Sequence, residues 1–168
     1  MFNDDYDLSG KHASILKFFV NDAKMFSLYI DVYKCAAIFG LLYGRKADKD
    51  TAVKDRANIL ASAFNNHRSD CVFLYRLTML LERSTDATTE ERVDRAFRDD
   101  ADEEHPEKLK ANMELFNAYV RGGLEVMQEQ LLDGCTSEED YMRRTYEKFM
   151  DFKRQLSGTD INPLEQLD

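Results

Sequence analysis

Residues 114–132 read ELFNAYVRGGLEVMQEQLL, and the reading of this stretch decides the fold. Leu115, Phe116, Tyr119, Val120, Leu124, Met127, Leu131 and Leu132 recur at helical steps, the one-face spacing of a helix with 3.6 residues per turn. Gly122 and Gly123 interrupt that face. A glycine inside a helix costs about 1 kcal/mol relative to alanine, so the pair costs about 2. A kink, a break between Arg121 and Leu124, or a backbone crossing too close for any Cβ would each offset that cost. Close helix packing is the main reading. The functional alternative is a strained turn presenting Arg121 and free N–H groups to an anion.

Working outward, Pro106 suits the first turn of this helix, which is expected near 107–132 as a Gly-Gly-interrupted element. Its natural partner is a long helix near 24–43, apolar nearly all round after Val32 and therefore central. Ala36, Ala37 and Gly40 form a small-residue groove on it that fits the double glycine. Gly44 reads as its C-terminal cap, with Arg45 and Lys46 placed well against the helix dipole.

Further helices are expected from Lys11 to about Val20, weakly from Arg56 to Phe64, and from Ser69 or Asp70 to about Arg83 as a deeply buried element. Thr88 with Glu91 and Thr136 with Glu139 match capping boxes for a short helix to about Phe97 and a last helix, 138–156. Residues 1–10 and 157–168 read as flexible tails. With seven Gly, two Pro and no β-rich run, the expected fold is all-α: one domain, 1–168, of six or seven helices.

Composition narrows the function classes. The chain of 168 residues carries 43% hydrophobic and 33% charged residues, a globular and not a disordered balance. Its formal net charge of −9 disfavours nucleic-acid and membrane-surface binding, although a local basic patch could survive. No apolar run approaches the roughly 20 residues that span a bilayer. The acidic start, MFNDDYDLSGKH, lacks an apolar core, so no signal peptide is expected. Cys35, Cys71 and Cys135 are odd in number and far apart, which suggests reduced thiols in a cytosol.

Catalytic signatures are missing. His12, His67 and His105 show neither an i, i+4 pair nor a Glu-x-x-His spacing, and the acidic run around Asp99–Glu107 lacks EF-hand spacing. No nucleophile elbow or phosphate-binding glycine loop occurs. No metal or cofactor is expected, and Cys71 reads as a core cysteine. Charge is uneven. Residues 85–107 hold ten acids and three bases, whereas in the last helix Arg143, Arg144, Lys148, Lys153 and Arg154 outnumber Glu147 and Asp151.

Two segments, VYKCAAIFGLLYGRK (32–46) and LFNAYVRGGLEVMQEQL (115–131), together with NHRSDCVFLYRLTML between them, resemble a family of small bacterial proteins found beside DNA phosphorothioation (Dnd) gene clusters. The similarity covers about residues 25–132 and rests on packing motifs. It implies a setting, as a bacterial cytosolic accessory to DNA modification or phage defence, and no reaction.

The leading expectation is a non-enzymatic helical interaction protein with a protein partner, a homodimer being one form of it. The alternatives are a nucleic-acid-binding regulator using the basic last helix and the Gly44-Arg45-Lys46 corner, and an enzyme with a composite site. The candidate binding residues are Arg45, Lys46, Tyr119, Arg121 and Glu125; Gly40, Gly44, Gly122 and Gly123 are candidate structural positions.

Overall fold

The structure is a computed structural model and describes residues 1–52, 54–83 and 86–157. In chain order the elements are β1 (Tyr6–Ser9), α1 (Lys11–Lys17) with a π-helical turn (Phe18–Asp22), α2 (Tyr29–Leu42), β2 (Arg56–Ile59), α3 (Ala61–Asn66), α4 (Arg68–Leu81), α5 (Thr89–Phe97), α6 (Pro106–Met127) with a second π-helical turn (Gln128–Leu132), and α7 (Glu138–Ser157). The architecture is all-α, as the periodicity implies, with one two-stranded antiparallel ribbon at its edge.

The packing of α2 on α6 is the centre of the molecule. α6 runs unbroken through both glycines, so the expected interruption does not occur. A Cβ on Gly123 would overlap the Ala36 carbonyl and crowd the Gly40 backbone nitrogen, and a Cβ on Gly40 would overlap the Tyr119 carbonyl. Each glycine thus removes the atom that would hold the helices apart. The crossing buries Ala36, Ala37, Val120 and Leu124 completely or nearly so, and that burial offsets the poor helix propensity.

Beyond this seam an aromatic cluster fills the core. Tyr33 meets Phe64 and Phe116 edge-on at 5.3 and 6.0 Å, and Tyr75 meets Phe116 at 5.9 Å. These are favourable quadrupolar arrangements. The Tyr33 hydroxyl is satisfied by donating to Asn117 Oδ1 at 2.8 Å.

The amino-terminal residues, expected to fray, are part of this core. Phe2 is buried and stacks on Phe64 at 5.4 Å, and Tyr6–Ser9 pairs with Arg56–Ile59 in the register Tyr6↔Ile59 to Ser9↔Arg56. The expected weak helix over 56–64 is therefore strand β2 followed by the short helix α3. Burying Ala57 and Ile59 while Arg56 and Asn58 face out requires a period of two, which helical geometry would not provide. The long helix expected near 24–43 begins at Tyr29, because Leu28 before it is extended, with φ −134° and ψ 146°, and Lys24 is left-handed with φ 50°. Gly44 ends it as expected, with φ 62° and the Arg45 N–H returning to the Gly40 carbonyl at 2.8 Å.

Two elements are less enclosed than their sequences imply. On α2, Ile38 and Leu42 face solvent, and on α4, expected to be deeply buried, Phe73 and Leu81 do. α4 starts at Arg68 after His67, with no side-chain cap from Ser69 or Asp70. The Thr88–Glu91 capping box forms on α5 as expected. The second box is shifted by one residue: Asp140 N–H donates to Ser137 Oγ at 3.2 Å, and Asp140 Oδ2 accepts the Thr136 N–H at 3.2 Å. The expected tail beyond residue 157 lies outside the described residues.

Candidate functional site

The five candidate binding residues meet the segment that follows α2, which runs as a strap across α6. Gly122 lies beneath it: a Cβ there would overlap the Arg45 carbonyl and crowd Lys46 N. Ala47 N–H donates to the Ala118 carbonyl at 3.0 Å. Arg121, only 4% exposed, donates from Nε to the Ala47 carbonyl at 2.8 Å, from Nη1 to the Tyr6 hydroxyl at 3.3 Å and from Nη2 to Glu114 at 2.8 Å. A planar guanidinium suits three acceptors in three directions. All three of its nitrogens are engaged in joining α6, the strap and β1, which leaves the anion-presenting turn without its arginine.

Tyr119 points elsewhere. Its hydroxyl donates to Glu82 Oε1 at 2.7 Å, and Lys46 lies 3.7 Å from the same oxygen and 5.7 Å from the Tyr119 ring centroid. Glu82 is buried, and this hydroxyl and lysine are among the groups that satisfy its carboxyl oxygens. Glu125 sits in a third cluster. Lys11 Nζ approaches it at 2.7 Å, His12 Nε2 at 3.0 Å and Arg45 Nη2 at 3.7 Å, while Arg45 also grips Glu129 at 3.0 Å. Burial works to raise the Glu125 pKa, but Lys11 and His12 outweigh it and leave the carboxyl below its ordinary value. His12 is fully buried, and burial lowers its pKa against the pull of Glu125. Its Nε2 faces a carboxylate that only accepts, so Nε2 carries the proton and the buried Nδ1 is the bare nitrogen.

The candidate residues therefore fall into three separate contacts. Arg45 meets Glu125, and Lys46 meets Tyr119, but Tyr119, Arg121 and Glu125 do not converge on one reacting point. A cleft of about 720 Å³ lies between α1 and the turn before α7 and is lined by Lys11, Phe18, Glu129, Cys135 and Tyr141 among others, with none of the five. Cys71 is fully buried, and burial pushes its thiol up to about 11, which makes it a core cysteine and a poor nucleophile at neutral pH. In the acidic loop, Asp102 is held at about 2 by Lys108 and His105. Among the described residues no three His, Cys, Asp or Glu side chains gather as a metal site.

The least satisfied part of the molecule is a surface. α7 packs chiefly against the Gln128–Leu132 turn, with Tyr141 edge-on to Phe18 at 6.1 Å. Past that anchor, Met142, Tyr146 and Phe149 are 69%, 64% and 64% exposed, and Phe152 is exposed beside them. At steps of four and three they form one stripe on an otherwise polar helix, and the partly buried positions Arg144, Lys148 and Asp151 lie on the opposite side. A second apolar surface is a groove of about 620 Å³ between α4 and α5, lined by Val72, Phe73, Leu77, Leu80 and Phe97. Arg76 covers part of it, 5.1 Å over the Phe97 ring.

Sequence reading finds the last helix but does not single out its apolar residues as a surface. The available signal was that these residues recur on one face of an otherwise charged helix; whether another element covers that face is a tertiary fact. The His12–Glu125 contact, spanning 113 residues, has no local signal at all. Comparison with known proteins finds no matching family model, no matching curated protein and no matching solved structure.

Proposed function

We propose that this chain is a non-enzymatic helical interaction protein that docks a protein partner on α7. The observation that carries the reading is the Met142–Tyr146–Phe149 stripe, three large apolar side chains in water on the far side of a helix from its anchor. Contiguous exposed apolar surface rimmed by charge is the mark of an interaction site, and an amphipathic helix is a common way to present one. The dispersal of Tyr119, Arg121 and Glu125 supports a scaffold role for them. The resemblance of 32–46 and 115–131 to Dnd-associated proteins supports a setting in a DNA-modification or defence system.

The nucleic-acid reading loses support because Arg45 is committed to Glu129 and Glu125, and Lys46 to Glu82. Affinity purification from a native host at modest salt tests the proposal. A specific protein is expected with the wild-type chain and lost with Tyr146→Gln/Phe149→Gln. No specific protein, or one retained equally by that variant, would end it.

A further inference from the structure

Resting on the reading of α7 as a docking face, we infer that its occupant is a second copy of this chain, with two α7 helices packed antiparallel about a two-fold axis near Tyr146. A two-fold interface needs a surface complementary to itself, and α7 has one. Its first turn is acidic (Glu138, Glu139, Asp140) and its last turns are basic (Lys148, Lys153, Arg154). A parallel pairing would set like charges together. The antiparallel pairing sets Glu139 beside Lys153 of the other copy at each end of the seam, Met142 near Phe149, and Tyr146 next to its own counterpart.

Charge over the whole molecule points to the same surface. The chain carries −9, so most faces repel a second copy. α7 contains five acids (Glu138, Glu139, Asp140, Glu147, Asp151) and five bases (Arg143, Arg144, Lys148, Lys153, Arg154) and is neutral overall. The α4–α5 groove is the rival apolar surface, but it adjoins the strongly acidic 86–107 segment, which two copies would have to bring together. From Glu139 to Lys153 the seam is roughly 20 Å long. That is a small interface, and small interfaces make dimers that dissociate on dilution.

Light scattering on the purified full chain across a concentration series tests the inference. The expected mass rises from 19.5 kDa in dilute solution toward about twice that value near 300 µM, the weak-dimer regime. Tyr146→Gln/Phe149→Gln, both at exposed positions, should keep the helical circular dichroism and hold the mass at the monomer value. Glu139→Lys and Lys153→Glu should each weaken association at least severalfold, and the double swap should restore it. A wild-type chain that stays monomeric throughout overturns the inference. So does a dimer indifferent to the stripe variant, or a double swap no better than the single ones. A monomeric chain whose α7 still captures another protein would overturn this inference and leave the proposed function standing.

Discussion

Gly122 and Gly123 are adjacent but serve different neighbours, and that division makes each substitution informative. Gly123 faces α2 and Gly122 faces the strap, so Gly123→Ala should loosen the central crossing and Gly122→Leu the strap. Alanine gains about 1 kcal/mol of helix propensity, but its Cβ would meet the α2 backbone at both Ala36 and Gly40, and backbone does not rotate away. Net destabilisation of about 1–3 kcal/mol is expected for Gly123→Ala, the range for overpacked sites, read as a lower urea midpoint at unchanged slope. An unchanged or raised midpoint would contradict the crossing. Tyr119→Phe removes the hydroxyl that donates to Glu82 and should cost about 0.5–1.5 kcal/mol, the net worth of one hydrogen bond, since Lys46 still reaches the same oxygen. Arg121→Ala should also register in unfolding and not in any binding assay that works through α7.

His12 sets the direction of pH dependence. Its folded-state pKa lies below the ordinary 6.5, so the unfolded chain takes up a proton first, and stability falls as pH drops through that value. Glu125 acts with the same sign lower down: its folded pKa lies below 4.5, so its contribution is complete above that pH and is lost as the pH falls further. Urea midpoints should therefore decline from about pH 7 to about pH 5, and His12→Gln should flatten that decline. A variant with the wild-type slope would remove His12 from the account. Cys71 should resist thiol reagents in the native protein at pH 8 and react only on unfolding, which mass spectrometry of the labelled sites would show.

Among the elements, α6, α2 and α5 were legible before any coordinates. The recurring apolar steps defined α6, the small-residue groove at Ala36, Ala37 and Gly40 anticipated its neighbour, and Thr88 with Glu91 set the start of α5. The misreadings have local physical causes. β1 and β2 are four residues each, too short to establish a period of two, and their pairing joins residues about fifty positions apart. The expected deep burial of α4 came from counting apolar residues without knowing which faces would be covered. Phe73 and Phe149 are as hydrophobic as Phe116, and only tertiary placement separates them. Likewise Arg121 and Glu125 were sensible candidates because they flank the double glycine, and Arg45 because it follows the Gly44 cap. The structure assigns them to holding the strap, a task with no sequence signature.

At the scale of the molecule, the fold divides into a well-supported body and one helix that leaves it. The body is tied together by the α2–α6 seam, the aromatic cluster and the strap contacts. None of the helices among the described residues is long and apolar enough to cross a membrane. An extended helix with few tertiary contacts opens readily, since helices gain most of their stability from packing. Docking should therefore change the dynamics of α7 more than those of any other element.

Amide hydrogen exchange over α7, compared between dilute and concentrated protein, measures that directly. The account predicts that amides of residues 142–154 exchange quickly in dilute solution and become protected as concentration rises, while α2 and α6 keep the same protection throughout. Protection on α7 that is already complete in dilute solution, or that develops elsewhere on the molecule with α7 unchanged, would contradict it.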